Sequence, residues 1–176
     1  MPMLDVGCGM RKHKGCIGID MRKMDGVDIV ADARMLPFKD NCFDKIFLSH
    51  IIEHIEDLVS FMKEIWRVSK SLATVSIWTP HFTAYRSYAD VTHKHHMTSQ
   101  SFDYFDQTTT FGKFFWLTKE FGFKVKKKQI IFPKRTTRFW NYLIERLANQ
   151  NPVRYEGMLG WIFPAENLYF ELEVVK

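Results

Sequence analysis

The stretch that decides the fold is Met3-Leu4-Asp5-Val6-Gly7-Cys8-Gly9, close to the start of the chain. An apolar run there passes through an acid into a glycine-X-glycine turn, which predicts a buried strand that ends in a loop. Because two positions of the loop lack a Cβ, a ligand can lie directly against backbone N–H groups. The pattern also occurs in ordinary tight turns, so the residues that follow decide its meaning.

Three more apolar runs follow, and each ends at a polar residue. They cover residues 16–20, 28–32 and 43–49, and their last residues are Asp20, Asp32 and Ser49. In an open α/β sheet, the carboxyl ends of parallel strands line the crevice in which ligands bind. We therefore expect an α/β fold whose ligand site lies at these strand ends.

A family resemblance is visible in the segments LDVGCG, GID and ADARMLPFKDNCFDKIFLSHIIEHIED, which occur in this order. Together they closely resemble the class I S-adenosylmethionine-dependent methyltransferases, over residues 1 to about 80. The resemblance implies a Rossmann-like, doubly wound sheet of seven strands, mostly parallel, with an antiparallel C-terminal edge. It implies S-adenosyl-L-methionine as the cofactor, and it does not identify the methyl acceptor.

The resemblance also assigns cofactor-binding roles to the strand ends. Asp20 would accept hydrogen bonds from both ribose hydroxyls, since a carboxylate can take two donors at once. Asp32 would meet the adenine amino group, with a turn or cap role as its alternative, and residues 36–38 would wall the ring. The cofactor-binding set is Asp5, Gly7, Cys8, Gly9, Arg11, Asp20, Met21, Asp32, Ala33, Ser49 and His50.

The loop after the first strand is unusually short. Only residues 10–15 separate the glycine turn from the second strand, so we expect the helix of that position to be shortened or absent. Lys12 stands where a nicotinamide-binding GxGxxG fingerprint needs its third glycine, which argues against that cofactor. Arg11 and Lys12 are placed to bind the cofactor's carboxylate as charged donors, unless they are solvated loop cations.

Residues 81–97 carry four of the seven histidines and show no clear period. A polar loop at the carboxyl end of a strand lies over the active site in this architecture. We therefore predict that residues 81–105 form the acceptor pocket and its lid, and that they exclude water in place of N-terminal helices. The substrate-binding candidates are Tyr85, Arg86 and Tyr88, for a ring or sugar that carries an anionic group.

Methyl transfer to a hydroxyl or an amine requires removal of a proton, a task that suits histidine. The catalytic candidates are His81, directly after the fifth strand, and His93, whose ring Asp90 could orient from three residues earlier. A metal site at His81, His93, His95 and His96 is the competing interpretation, and we expect no metal. In a third interpretation, these histidines only bond to the backbone of their own loop. Glu53 and His54 are interpreted as residues that brace the loop after the fourth strand.

The rest of the chain indicates further helices and strands. Asp57 is the expected N-cap of a helix with an apolar stripe, and residues 74–78 form the fifth strand. We expect helices over 111–121 and 139–147, strands over 123–132 and 168–175, and an apolar loop at 158–164. That loop is interpreted as core beneath a long loop, with an acceptor cover or a dimer contact as alternatives.

A basic stretch runs from Lys124 to Arg138 and could bind RNA phosphates. The favoured interpretation is that alternating lysines at positions 124, 126 and 128 protect an edge strand from aggregation. The predicted function is therefore methyl transfer to a hydroxyl, amine or carboxylate of a small-molecule, sugar or lipid-linked acceptor. The alternatives are an RNA methyltransferase and a non-catalytic cofactor-binding partner subunit.

Composition limits the remaining possibilities. The 176 residues fit one domain over 1–176, with a lid inserted at about 80–110 and a helical insertion at about 135–165. Three cysteines without a CxxC motif argue against a disulfide framework and favour the reducing cytoplasm. No signal peptide opens the chain, and no apolar run approaches the roughly 20 residues of a membrane span. The net charge of +5 permits an anionic partner without requiring one, and dimerisation stays open.

Overall fold

A computed structural model describes residues 1–114, 120–134 and 139–176. Seven strands form one sheet in the order β3-β2-β1-β4-β5-β7-β6. The strands are β1 Met3–Val6, β2 Ile17–Asp20, β3 Ile29–Val30, β4 Phe43–Ser49, β5 Ser69–Pro80, β6 Gly122–Ile131 and β7 Asn167–Val175. The first five are parallel, and β7 runs antiparallel to both β5 and β6. This confirms the predicted α/β sheet with an antiparallel C-terminal edge.

The centre of the sheet has one apolar, fully buried face, to which residues paired across neighbouring parallel strands contribute. In β1 and β4, the side chains of Leu4, Val6, Ile46 and Leu48 are fully buried. Val6 pairs with Ile19 of β2 and with Leu48 of β4. The carboxyl ends of these three strands therefore meet at one edge of the sheet.

The helices are α1 Leu58–Val68, α2 Tyr85–Ala89, α3 Thr110–Phe114, α4 Phe139–Gln150 and α5 Pro152–Met158, with 3-10 helices at Ile52–His54 and Asp103–Phe105. The N-cap prediction for α1 is confirmed, because the Ser60 N–H donates to Oδ1 of Asp57 at 3.0 Å. Helices α4 and α5 both lie within the helical insertion predicted at about 135–165, although a separate helix at the position of α5 was not predicted. The part of the predicted 111–121 helix beyond Phe114 falls largely outside the described residues.

Residues 7–16 contain turns and no helix, so the prediction of an absent helix after β1 is confirmed. Gly7 has a φ of +69°, a left-handed conformation that favours glycine. A Cβ at Gly7 would also lie 2.6 Å from Cδ1 of Ile51. The first glycine of the turn is therefore required both by backbone conformation and by the close approach of the loop after β4.

Strand β6 lies at the edge of the sheet, where the alternating lysines were expected. The strict alternation is wrong, because a bulge between Val125 and Lys127 shifts the register. Lys128 is half-buried and forms an ion pair with Asp103, while Lys126 pairs with Glu173 across to β7. The positions of Arg135 and Arg138 in the basic stretch lie outside the described residues.

The apolar segment at 158–164 does not lie beneath a loop. Met158, Trp161 and Ile162 are each about two-thirds exposed, so the interpretation of this segment as core is wrong. The preceding helix α5 contributes Tyr155 to the core in its place. Within the described residues, no helix is long and apolar enough to span a membrane.

Candidate functional site

Two cavities open at the carboxyl edge of the parallel strands. The first cavity, of about 540 Å³, is lined by residues that follow β1, β2, β3 and β4 and by two residues of the 81–105 segment. Its lining residues include Gly7, Asp20, Met21, Asp32, Ala33, His50, Ile51, His54, Thr92 and Lys94. Six predicted cofactor-binding residues, Gly7, Asp20, Met21, Asp32, Ala33 and His50, thus meet in one cavity.

The carboxylate of Asp20 is held in place by backbone groups at the end of β2. The Gly9 N–H donates to Oδ2 and the Arg22 N–H donates to Oδ1, both at 3.0 Å. Each carboxylate oxygen keeps lone pairs that can accept further hydrogen bonds. Asp20 is therefore pre-oriented at the mouth of the first cavity, as a vicinal diol would require.

The carboxylate of Asp5 lies buried at the end of β1, behind the glycine turn. Its Oδ2 accepts hydrogen bonds from the backbone N–H of His13 at 2.7 Å and from the His13 ring at 2.8 Å. Its Oδ1 has no hydrogen-bond partner among the described residues. A buried carboxylate oxygen without a donor is energetically costly, and a ligand amino group could supply that donor.

Asp32 lines the first cavity but is already paired. Its carboxylate binds the Arg34 guanidinium at 2.7 Å, and these hydrogen bonds hold the pKa of Asp32 below its usual range. The neighbouring Ala33 is buried against the cavity. Asp32 stays ionised at neutral pH and can still accept from an amino group.

The predicted apolar wall of residues 36–38 is wrong. Leu36 is buried in the core, where its N–H donates to Glu64 of α1, and Phe38 packs edge-on against Phe43. The apolar walls of the first cavity come from other side chains, which include Ile19, Met21, Met24, Ile51 and Ile55. The chain turns under α1 after Met35, which carries residues 36–38 away from the strand ends.

The second cavity, of about 740 Å³, lies beside the first. It is lined by residues from the glycine loop, the loop after β4, helix α2 with the turn that follows it, and the start of β7. These include Arg11, His50, Glu53, His54, Arg86, Asp90, His93 and Glu166. His50 and His54 line both cavities, so the two spaces meet at these histidines.

Arg11 faces the second cavity and not the first. Lys12, the other predicted carboxylate-binding cation, forms an ion pair with Asp28 at 2.7 Å. Four other predicted cofactor residues, Asp5, Cys8, Gly9 and Ser49, do not line either cavity, although the Gly9 N–H holds the carboxylate of Asp20. Burial raises the pKa of the Cys8 thiol to about 11, which leaves the thiol neutral at physiological pH.

Glu53 is buried at the wall of the second cavity, next to the two histidines that line both cavities. Its Oε2 accepts from the Thr79 hydroxyl at 3.1 Å, and its Oε1 lies 3.3 Å from Nδ1 of His50. Its backbone carbonyl accepts from the Lys94 N–H at 2.7 Å. Glu53 therefore ties together the ends of β4 and β5 and the segment 90–95.

Asp90 lies at ion-pair distance from His93, as predicted, but it does not hold the ring by a hydrogen bond. The nearest approach, from Nε2 of His93 to Oδ2 of Asp90, is 3.9 Å, too long for a hydrogen bond. The ring is held instead by the Ser87 carbonyl, which lies 3.0 Å from Nδ1. Asp90 accepts from the side chain and backbone of Thr92, and these bonds lower the pKa of Asp90.

His81 does not face either cavity. Its ring is fully buried, with Nδ1 accepting from the Thr83 N–H at 3.2 Å and Nε2 lying 3.2 Å from Oε1 of Glu156. Because Nδ1 accepts, the proton of the neutral ring is on Nε2, which donates to the carboxylate. His81 thus anchors helix α5 to the end of β5, and its placement gives no support to a role as a base.

The substrate-binding candidates are only partly brought together. Arg86 lines the second cavity, and its Nε donates to the Tyr85 hydroxyl at 3.0 Å. Tyr85 itself is three-quarters exposed outside the cavity. Tyr88 stacks on His96 at 4.1 Å between ring centroids and also lies outside.

The sequence analysis missed His54 as a site residue. It is exposed, lines both cavities and contacts the His93 ring edge-to-face at 4.6 Å between centroids. Within the described residues, Glu53, His54 and His93 place one potential ligand atom each within 4.8 Å of one another. The available signal was the spacing H-x-x-E-H over residues 50–54, which puts three ionisable groups at one strand end.

Comparisons with known proteins agree with this geometry. Residues 4–77 match the family model described as a methyltransferase domain. Ajmaline N-methyltransferase of Rauvolfia serpentina is 32% identical over 100 residues, which cover 43% of this chain and 34% of that protein. The chain thus matches about a third of the length of this curated relative.

Solved structures share the fold along nearly the whole chain. A SAM-dependent methyltransferase from Archaeoglobus fulgidus has a TM-score of 0.61 at 19% identity, with 98% of this chain and 85% of that chain covered. The cyclase SpnF has a TM-score of 0.60 at 14% identity, with 99% and 74% covered. Because the second protein is named a cyclase, the fold alone does not determine the reaction.

The segment that matches the family model contains the ends of β1 to β4, which line the first cavity. The strand order is the one expected for the Rossmann-like fold that the sequence resemblance implied. Residues 4–77 are therefore similar to a methyltransferase domain, and the whole chain has the fold of solved S-adenosylmethionine-dependent methyltransferases.

Proposed function

We propose that this protein binds S-adenosyl-L-methionine in the first cavity and transfers its methyl group to an acceptor in the second cavity. The acceptor would be a hydroxyl, amine or carboxylate of a small molecule, a sugar or a lipid-linked compound. The observation that carries the proposal is that the two cavities meet at His50 and His54. A cofactor and an acceptor bound on the two sides would face each other at this junction.

The first cavity fits the cofactor in three respects. Asp20 is pre-oriented toward a ribose diol, since two backbone N–H groups hold its carboxylate. Gly7 brings the backbone close to Ile51 without a side chain in the way. The unpartnered Oδ1 of Asp5, which lies buried behind the glycine turn and does not itself line the cavity, would suit the cofactor's amino group through a bridging water. When bound, the cofactor supplies a methyl group on a positively charged sulfur, which is a good leaving group.

The contribution of the protein is alignment, exclusion of water and removal of the acceptor's proton. Thr92 and Lys94 line the first cavity while Val91 and His93 line the second, so the segment 90–95 crosses both. Nδ1 of His93 lies 3.0 Å from a carbonyl oxygen, which can only accept, so Nδ1 carries the proton and Nε2 is bare. A bare Nε2 can take the proton of an acceptor hydroxyl or amine as the new bond to the methyl carbon forms.

The charges of the second cavity favour an acceptor with an anionic group. Arg11 and Arg86 both line it, and a guanidinium binds carboxylates and phosphates through paired hydrogen bonds. The curated relative from Rauvolfia serpentina is named an N-methyltransferase, which supports including amines among the acceptors.

The RNA alternative draws less support from the described residues. In the basic stretch, Lys126 and Lys128 are paired with Glu173 and Asp103, which reduces the positive charge available to phosphates. A non-catalytic partner subunit would need the first cavity only. The ionisable groups that line the second cavity therefore favour an enzyme.

The decisive experiment combines binding and turnover. Titration calorimetry with S-adenosyl-L-methionine tests the first cavity. Formation of S-adenosylhomocysteine with a panel of anionic sugars, amines, lipid-linked sugars and short RNAs tests the second. Binding with turnover of a small acceptor supports the proposal. Binding without turnover on any acceptor would favour the partner-subunit alternative, and no binding at all would reject the proposal.

A further inference from the structure

We propose that Glu53, His54 and His93 bind a divalent transition-metal cation at the junction of the two cavities. One carboxylate oxygen and two ring nitrogens lie within 4.8 Å of one another there. They come from two places in the fold, since Glu53 and His54 are consecutive residues of the 3-10 helix Ile52–His54 and His93 lies in the loop after helix α2. The metal interpretation considered from sequence used other histidines, and of those only His93 belongs to this cluster.

The ring of His93 is prepared for a metal. Its Nδ1–H donates to the Ser87 carbonyl at 3.0 Å, because a carbonyl oxygen cannot donate. The other nitrogen, Nε2, is therefore unprotonated in the neutral ring. Metal-binding histidines usually donate their second N–H to a carbonyl or carboxylate in this way, which fixes the ring and its tautomer.

The tautomer of the His54 ring is fixed by a chain of two hydrogen bonds, from His54 to Thr92 and from Thr92 to Asp90. The Thr92 hydroxyl has a single hydrogen, which it donates to Oδ1 of Asp90 at 2.6 Å. The hydroxyl oxygen of Thr92 also lies 2.9 Å from Nδ1 of His54. Because its own hydrogen is already donated, this oxygen must accept the hydrogen carried by Nδ1. Nε2 of His54 is consequently bare as well. Two imidazoles in edge-to-face contact thus both present unprotonated nitrogens.

The carboxylate of Glu53 supplies the negative charge. Its side chain is only 2% exposed, and its oxygens accept from the Thr79 hydroxyl and approach the ring of His50. Among the described residues, no lysine or arginine forms an ion pair with it. A buried carboxylate without a permanent counter-charge is costly, and a cation would offset that cost. Each oxygen retains a lone pair for a metal.

This ligand set selects the class of cation. Two imidazole nitrogens and one carboxylate suit zinc, and also iron(II), cobalt(II) or nickel(II), more than magnesium or calcium. Three protein ligands leave at least one coordination position open. Ligands of one zinc ion lie roughly 3–4 Å apart, so a small rotation of the exposed His54 ring would complete the site.

The open position would face the second cavity, since all three residues line it. There the cation could bind the hydroxyl or amine of the acceptor and lower its pKa, with the released proton passing to water. This role rests on the proposed function and makes His93 a ligand when metal is present. The binding of the cation itself does not depend on methyl transfer.

The test uses the full chain, stripped with a chelator and titrated with cobalt(II), whose visible absorption reports coordination by protein ligands. We expect one cobalt per chain, displaced by zinc. His93→Gln and His54→Gln should weaken binding by about 100-fold or more, and Thr92→Val, which breaks the chain of hydrogen bonds to His54, by roughly 10–100-fold. His95→Gln is the matched control: the hydrogen bond of the His95 ring within the described residues goes to the Glu56 carbonyl, and His95 does not belong to the cluster, so this variant should bind cobalt like the wild type.

Three results would overturn the inference: no cobalt binding by the wild type, unchanged affinity in both His93→Gln and His54→Gln, or an equal loss in His95→Gln. Circular dichroism of each variant checks that the fold persists, and Thr92→Val tests the site without removing a ligand. S-adenosyl-L-methionine affinity is measured in parallel. Cobalt binding by a protein that does not bind this cofactor would reject the proposed function alone, and the reverse would reject the metal site alone.

Discussion

The backbone N–H of Gly9 donates a 3.0 Å hydrogen bond to Oδ2 of Asp20, which joins the glycine turn after β1 to the end of β2. Residues 10–15 form no helix, so the glycine turn is connected to the end of β2 by this hydrogen bond. It keeps the carboxylate at the first cavity without a long structural element. The cofactor site of this protein is therefore built from two strand ends and a turn.

Asp20→Ala should weaken S-adenosyl-L-methionine binding about 5–150-fold, equivalent to about 1–3 kcal/mol for the lost hydrogen bonds. Calorimetry of the folded variant measures this directly. Asp25→Ala is the matched control, because Asp25 is an exposed acid of the same loop that does not line the cavity. Equal affinity of wild type and Asp20→Ala would remove Asp20 from the cofactor site.

Gly7→Ala should destabilise the fold by about 1–3 kcal/mol, because the new Cβ meets Ile51 at 2.6 Å and the φ of +69° strains any side chain. Urea denaturation measures the change in the free energy of unfolding. Gly157→Ala is the control, since a Cβ at that position in α5 meets nothing within 4 Å. There we expect stability to stay equal or to rise by up to about 1 kcal/mol. A neutral Gly7→Ala would mean that the loop after β4 can move aside.

The free energy of unfolding should fall between pH 9 and 11, because the Cys8 thiol ionises in this range in the unfolded chain but not in the folded one. Burial raises the pKa of this thiol from 9.0 to about 11, so in that window the unfolded chain loses a proton that the folded chain retains. Since the unfolded state then binds fewer protons, the free energy of unfolding decreases as pH rises, by an amount on the order of 2–3 kcal/mol.

Urea denaturation at pH 8 and pH 10.5 measures this decrease. Cys8→Ser should show a smaller decrease than the wild type, whereas Cys42→Ser removes a thiol but leaves Cys8 in place and should behave like the wild type. Cys16 shares the direction of the shift, since burial also raises the pKa of its thiol, so a residual decrease in Cys8→Ser is expected. The same slope in Cys8→Ser as in the wild type would contradict the prediction.

His93→Ala should reduce turnover about 10²–10⁴-fold, the range for loss of a group that handles the acceptor's proton. Cofactor affinity should change little, because His93 lines the second cavity and not the first. Initial rates with an identified acceptor, combined with calorimetry of the cofactor, separate the two effects. His95→Ala serves as the control variant. Full activity of His93→Ala would mean that another group removes the proton from the methyl acceptor. His50, which lines both cavities, would be the next candidate.

Glu156→Ala should lower the free energy of unfolding by about 1–3 kcal/mol, because it leaves buried donors without an acceptor. The Glu156 carboxylate accepts from the backbone N–H and the hydroxyl of Ser99 at 2.6 and 2.8 Å, and from the His81 ring. Arg154→Ala changes an exposed side chain of the same helix and should be nearly neutral. If Glu156→Ala were as stable as the control, α5 would not anchor the 81–99 segment.

Local sequence was sufficient for the strand ends and the cofactor acids. Strand identity depends on short apolar runs, and Asp20 and Asp32 follow those runs directly, so their position at one edge follows from parallel pairing. The absent helix was equally evident, because six residues cannot form it and still connect two paired strands. The N-cap at Asp57 likewise depends on its immediate neighbours.

Only the tertiary structure decided which side chains share a cavity. His81 and His93 are similar in sequence context, yet packing of α5 buries the first while the loop after α2 leaves the second at the junction. Leu36 is buried in the core and Phe38 packs against it, and Glu64 of α1 accepts a hydrogen bond from the N–H of Leu36 there. The cluster of Glu53, His54 and His93 joins residues about 40 positions apart, and no local pattern encodes such a distance. Contacts of that kind are set by where whole elements pack, since each side chain only occupies the space that its neighbours leave.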